Sequence, residues 1–253
     1  MAVSIKPLSA KIGAEVTGAD FSKTVPSADL INIKQGLLRH LVMVIRNQSL
    51  NPEKLLAAVR LFGETMEQHL TDTLMQNHPE IAVLDSSKMP PDKQNRVIPF
   101  GARTWHTDHT NHECPPKYTA LYAVNLPSSG GDTSFANMHF AFASLPQGEQ
   151  ASLQKLQTVN KIEDFGYISA EAQIKFGSLP IHPLIRTHPE TGKKAIYVHP
   201  GKVERIIGQE TEESQAFIRN LLERVITPEN TYRHQWQLGD LLICDNRAVL
   251  HKA

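Results

Sequence analysis

The sequence predicts a mainly β fold, a jelly roll with helices flanking it. Two observations carry that expectation. Around eight short apolar or alternating runs are separated by turn residues such as Pro127, Gly130-Gly131, Pro189-Glu190-Thr191-Gly192 and Gly239-Asp240, which is how strands of a sandwich or barrel are written. Few helical segments lie between those runs, whereas each crossover of a parallel sheet needs about a dozen residues or more. The jelly roll accommodates both observations.

Taken in order, residues 27–41 carry Leu30, Ile31, Ile33, Leu37, Leu38 and Leu41 at helical spacing, and 41–45 then reads as a buried strand. Asn51 and Pro52 mark a second helix start, as cap and first helical residue, with Gly63 placed to end it. A third helix is predicted over 212–225, where Phe217, Leu221, Leu222 and Val225 share a face, Glu residues open the first turn and Arg224 sits in the last. Strands are predicted at 81–84, 104–108, 118–124, 181–187, 195–198, 232–237, 241–244 and 248–251. Residues 86–102 hold Pro90, Pro91 and Pro99, show neither period, and are expected to form a lid loop.

The chain has 253 residues, 40% hydrophobic and 21% charged, enough for one large domain with a buried core. Residues 1–253 are read as a single domain, since no internal repeat or low-complexity tract divides them. Lys plus Arg and Asp plus Glu are 26 each, so no basic excess exists to bind nucleic acid. No run approaches the ~18 apolar residues that cross a bilayer, and the first residues lack a signal-peptide pattern. A cytoplasmic, homo-oligomeric protein is expected. The two cysteines, Cys114 and Cys244, make neither a disulfide framework nor a zinc pair and are expected to be small buried hydrophobes.

Histidine is the anomaly, with 12 residues, several crowded into Trp105-His106-Thr107-Asp108-His109-Thr110-Asn111-His112. In a strand, His106 and Asp108 would share a face, so one strand could present two metal ligands. A third could come from His251, after the Asp245-Asn246-Arg247 turn. Two His and one carboxylate on one side of an open site is the arrangement of non-haem Fe(II) oxygenases. A His-x-Asp pair alone is equally an ordinary ion pair. His109 and His112 compete as ligands, although strand parity turns His109 to the opposite face and both also read as a polar rim. Gly130-Gly131-Asp132-Thr133 is not followed by a helix that could bind phosphate, so it reads as a tight turn feeding Thr133 into a strand. Arg247 is expected to pair with Asp245.

Five motifs occur in one order: Phe62-Gly63-Glu64, Trp105-His106-Thr107-Asp108, Pro127 through Gly130-Gly131-Asp132-Thr133, His182-Pro183 through His188-Pro189-Glu190-Thr191-Gly192 to Ala195, and Gly239-Asp240 through Asp245-Asn246-Arg247 to His251. In these the chain resembles the TauD/TfdA family of Fe(II)/2-oxoglutarate dioxygenases, from about Leu41 to the last residue. The resemblance implies a double-stranded β-helix, Fe(II) held by His106, Asp108 and His251, and 2-oxoglutarate and O2 as cosubstrates, with Thr133 at the distal carboxylate of 2-oxoglutarate. It implies hydroxylation of a small anionic substrate, a sulfonate, alkyl sulfate or carboxylate, with release of succinate and CO2. Asp108 argues against a halogenase, which lacks that carboxylate.

His69 resembles the family position that meets the substrate anion, and it reads equally as an exposed histidine. Arg103, three residues before His106, is a second candidate anion partner. The chain departs from the family at Cys244, where a Trp is common. The family's arginine for 2-oxoglutarate lies beyond the last metal histidine, so a further C-terminal segment is expected after Ala253. The competing expectation is a cupin-like metal protein that binds or isomerises a ligand without 2-oxoglutarate.

Overall fold

The computed structural model describes residues 3–66, 73–86, 103–162 and 177–253. A hairpin of β1 (Ser4–Pro7) and β2 (Ala14–Thr17) leads to α1 (Ser27–His40), β3 (Val42–Ile45) and α2 (Pro52–Arg60). Then come β4 (Leu74–Met75), β5 (His78–Ala82), β6 (Tyr118–Tyr122), β7 (Thr133–Asn137), α3 (Met138–Ala143), α4 (Gln147–Leu153) and β8 (Gln157–Asn160). The rest of the described chain is β9 (Ile181–Pro183), β10 (Ile185–Thr187), β11 (Lys194–Ile196), β12 (Val203–Ile206), α5 (Thr211–Val225), β13 (Thr231–His234), β14 (Leu241–Asp245) and β15 (Val249–Lys252).

The largest sheet has the order β1-β2-β3-β14-β6, and a smaller one runs β13-β7-β15. Alternation along β3 and β14 explains how one sheet serves two cores. Met43, Ile45, Leu241 and Ile243 pack with Ile33 and Leu37 of α1 and with Ala58 of α2. Val42, Val44, Leu242 and Cys244 point the other way and pack with Phe135, Ala136, Val249 and Leu250 of the small sheet. Because both faces are covered, β3 and β14 are apolar throughout and do not alternate in sequence.

The helices form where the caps and periodicity place them. Asn51 Oδ1 accepts from the Lys54 N–H at 2.9 Å with Pro52 at the first position, and α2 ends at Arg60, short of the expected Gly63. α1 closes on Leu41 in the left-handed region at φ 66°, its N–H bonded to Leu37 O; burial of Leu41 offsets the strain of that backbone. Gly239 is required at its turn, since a Cβ there would lie 2.5 Å from the Gln48 carbonyl. Gly130 and Gly131 both have positive φ, at 75° and 80°, and bend the chain into β7 as expected.

Four expectations are corrected. Residues 104–108 are not a strand: His106 makes one isolated antiparallel bridge to His251, and 108–110 turn, with His109 at φ 54°. His109 is buried instead of lying on a polar rim. Cys114 is exposed, although Cys244 is buried as expected. The 181–187 run breaks at Leu184 into β9 and β10, which join different sheets. The expected lid falls almost wholly on 87–102, outside the described residues. Among the described residues no helix is long and apolar enough to cross a membrane.

Candidate metal centre

The three candidate ligands come from β15 of the small sheet and from the loop bridged to it. β14 of the large sheet turns through Asp245, Asn246 and Arg247 into β15 of the small one, which carries His251. Paired backbone bonds, His106 N–H to His251 O at 3.0 Å and His251 N–H to His106 O at 2.7 Å, pin the loop that carries His106 and Asp108 to β15. The turn after His106, not strand parity, brings Asp108 back beside it.

His106, Asp108 and His251 each offer one ligand atom, all within 4.8 Å of one another. His106 Nε2 is 3.6 Å from Asp108 Oδ1, and His251 Nε2 is 3.7 Å from Asp108 Oδ2. These gaps exceed hydrogen-bond length, and bonds of about 2 Å to a shared ion set ligand atoms about 3 to 3.5 Å apart. His106 Nδ1 lies 2.9 Å from the Thr104 carbonyl, which can only accept, so Nδ1 carries a proton and Nε2 is the nitrogen turned toward Asp108. Burial lowers the His251 pKa to about 4, against the attraction of Asp108 and with repulsion from His106, so the ring is neutral near pH 7. Burial would raise the Asp108 carboxyl, yet His251, His106 and His109 and the Thr119 hydroxyl together hold it well below the usual carboxylate range. Two imidazole nitrogens and a carboxylate therefore converge, a set that a divalent cation fits.

The surroundings hold this set rigid. The His251 ring stacks on Phe135, centroids 6.1 Å apart, and lies 4.2 Å from the His106 ring. Behind the β14–β15 turn, Asp245 accepts from His188 Nε2 at 3.0 Å and from Arg247 Nε and Nη2 at 2.8 and 2.6 Å, and Arg247 Nη1 bonds Glu190 at 2.6 Å. The His188-Pro189-Glu190 and Asp245-Asn246-Arg247 motifs are thus one ionic network, buried at His188 and Asp245 and exposed at Glu190, that shapes the turn leading to His251. Asp240 of the Gly239-Asp240 motif anchors the other end of β14, accepting from Arg46 Nη1 at 2.5 Å, from His234 Nε2 at 3.1 Å and from the Gln237 N–H at 2.8 Å.

The remaining expected residues are less uniformly placed. Thr133 opens β7 two residues before Phe135, so both side chains share the face toward His251; Thr133 Oγ1 accepts from Trp236 Nε1 at 3.0 Å. Arg103 is exposed, and His69 lies outside the described residues. Sequence reasoning missed His199, buried with its ring 4.9 Å from that of His106, and Lys202, buried with Nζ 2.8 Å from Asn111 Oδ1. Neither stands in a motif, and only the fold brings 199–202 to the 106–112 loop.

Comparison with known proteins identifies the family. The family model described as "Taurine catabolism dioxygenase TauD, TfdA family" matches residues 4–253. The chain belongs to the TauD/TfdA family. Among its TauD/TfdA relatives, an alkylsulfatase of Acinetobacter baylyi is 32% identical over 99% of this chain and 80% of its own length. An alpha-ketoglutarate-dependent 2,4-dichlorophenoxyacetate dioxygenase of Cupriavidus pinatubonensis is 30% identical over all of this chain and 92% of its own. A crystal structure of a taurine dioxygenase from Burkholderia xenovorans superposes with a TM-score of 0.82 at 31% identity, over all of this chain and 83% of that one. The TauD/TfdA assignment carries with it the jelly roll and an Fe(II)- and 2-oxoglutarate-dependent dioxygenase activity.

Proposed function

We propose that His106, Asp108 and His251 are the Fe(II) ligands of this dioxygenase, that Thr133 meets the distal carboxylate of 2-oxoglutarate, and that the primary substrate is a small organic anion. The single observation carrying this reading is the convergence of those three ligand atoms within 4.8 Å. With 2-oxoglutarate and O2, Fe(II) held there supplies hydroxylation of a C–H bond as 2-oxoglutarate is converted to succinate and CO2.

The chain's own residues do the positioning. His106 and His251 would hold the metal through ring nitrogens and Asp108 through its carboxylate, three protein ligands in all. Phe135 stacks on the His251 ring and Trp236 bonds Thr133 on the small-sheet side, apolar surface that would help to keep water off the reacting centre. Thr133 Oγ1 can donate its own proton to a carboxylate while accepting from Trp236.

An anionic substrate is supported by two things. The named relatives act on an alkyl sulfate and an aryloxyacetate, and the buried ammonium of Lys202 raises the local positive potential beside His109 and His199. Arg103 and His69 remain candidate partners for that anion. A cytoplasmic, homo-oligomeric enzyme is part of the same proposal; free thiols at Cys114 and Cys244 suit a reducing compartment. The test is succinate release from 2-oxoglutarate with Fe(II), screened over alkyl sulfates, sulfonates and aryloxyacetates. Stimulation by at least one anion is expected. Turnover of a ligand without 2-oxoglutarate would favour the isomerase-like alternative.

A further inference from the structure

Asp108 does not point at the metal centre by itself. The turn at 108–110 leaves its backbone without strand pairing, so a rotating carboxylate could present either oxygen or both. What fixes it comes from β6 of the other sheet. Thr119 Oγ1 donates to Asp108 Oδ2. The direction of that bond is set from behind: Asn246 Nδ2 donates to the same Thr119 oxygen at 2.8 Å, so the hydroxyl proton must go forward to Asp108.

Asn246 is itself buried, with its backbone bonded at both its carbonyl and its N–H. It is 1% exposed, its carbonyl accepts from Thr107 Oγ1 at 2.7 Å, and its N–H bonds the Lys117 carbonyl at 3.1 Å. Thr119 lies directly across from Cys244 in the β6–β14 register, which puts its side chain on the inner face, toward the site. The relay thus joins the turn that delivers His251 to the carboxylate of Asp108. Both sides of the centre are set by one element.

We propose that Thr119, oriented by Asn246, is the positioning residue that turns Asp108, occupying Oδ2 so that Oδ1 is the oxygen offered to the metal. This rests on the metal-centre reading above. Single-oxygen ligation keeps a neighbouring position open for cosubstrate, and a carboxylate hydrogen-bonded at its other oxygen is held in place without losing its charge. Asn246 stands in the Asp245-Asn246-Arg247 motif, where the Asp and Arg shape the turn; the relay gives the Asn its own task.

The experiment is anaerobic titration of the full chain with Co(II) alone, read by visible absorption, for wild type and for Thr119→Val, Thr119→Ser and Asn246→Ala. Val matches Thr in shape and suits a strand, so T119V is expected to fold. T119V should bind Co(II) about 10- to 100-fold more weakly, with T119S recovering to within about 3-fold of wild type, as loss and return of a hydrogen bond behind a ligand require. N246A should weaken binding in the same direction by a smaller factor. T119V binding as tightly as wild type, or T119S failing to recover, overturns the relay; N246A matching wild type removes Asn246 from it. A wild type that binds no Co(II) overturns the metal centre itself.

Discussion

Asp245→Ala tests the reasoning that the motif residues around the β14–β15 turn are structural supports. Asp245 is fully buried and accepts from His188 at 3.0 Å and from Arg247 at 2.8 and 2.6 Å through Nε and Nη2, with the Arg247 N–H at 3.0 Å as well. Truncation leaves a largely buried guanidinium opposite a hole, and breaking a buried pair from one side costs about 3 to 5 kcal/mol. For a chain of this size each kcal/mol moves Tm by about 2 to 4 °C, so a drop of about 6 to 20 °C is expected. Urea unfolding of the metal-free protein should show the midpoint fall with an unchanged slope. Arg247→Met should also destabilise, since it leaves the Asp245 carboxylate buried without its guanidinium, and the double variant should lose less than the sum of the two. A loss under about 1 kcal/mol for Asp245→Ala would show that the network does not hold the turn.

Other outcomes follow from the same geometry. Asp108→Ala should abolish substrate-coupled succinate formation, measured by chromatography, while wild-type turnover in that variant would remove the ligand set. Thr133→Ala should raise the apparent KM for 2-oxoglutarate about tenfold or more with little change in kcat, one hydrogen bond to a charged group amounting to about 1.5 kcal/mol. His109 and His251, both lowered to about 4 chiefly by burial, bind protons more readily when unfolded, so metal-free stability falls as pH drops below about 6.5. The loss from pH 7 to pH 5 should be about 2 kcal/mol per ring in urea melts, and a flat profile would contradict their burial. One thiol, Cys114, should react with a disulfide reagent in the native protein and both in denaturant, because burial raises the Cys244 thiol well above its ordinary value.

The strands and longer helices were legible in the sequence wherever a face is covered uniformly. β3 and β14 read correctly as buried runs, and Asn51-Pro52 marked α2. Periodicity failed where elements are very short: α3 is six residues, nearly all apolar, and β8 and β12 are four each, too brief to display a period. The convergence of His106, Asp108 and His251 was legible, but the reason given for the first pair was wrong. A one-residue bridge followed by a turn at His109 does what a strand was expected to do. Thr119, His199 and Lys202 were illegible because their roles arise from register and loop packing across 11 to 127 positions of chain.

The central claim is that His106, Asp108 and His251 hold an iron that chelates 2-oxoglutarate. Anaerobic addition of Fe(II) and then saturating 2-oxoglutarate to the protein measures it directly, through the weak visible metal-to-ligand band of the chelate. Wild type should develop the band only when both are present, and Asp108→Ala and His251→Ala should not develop it. Iron that binds without producing the band, or a band undiminished in both variants, would contradict the account.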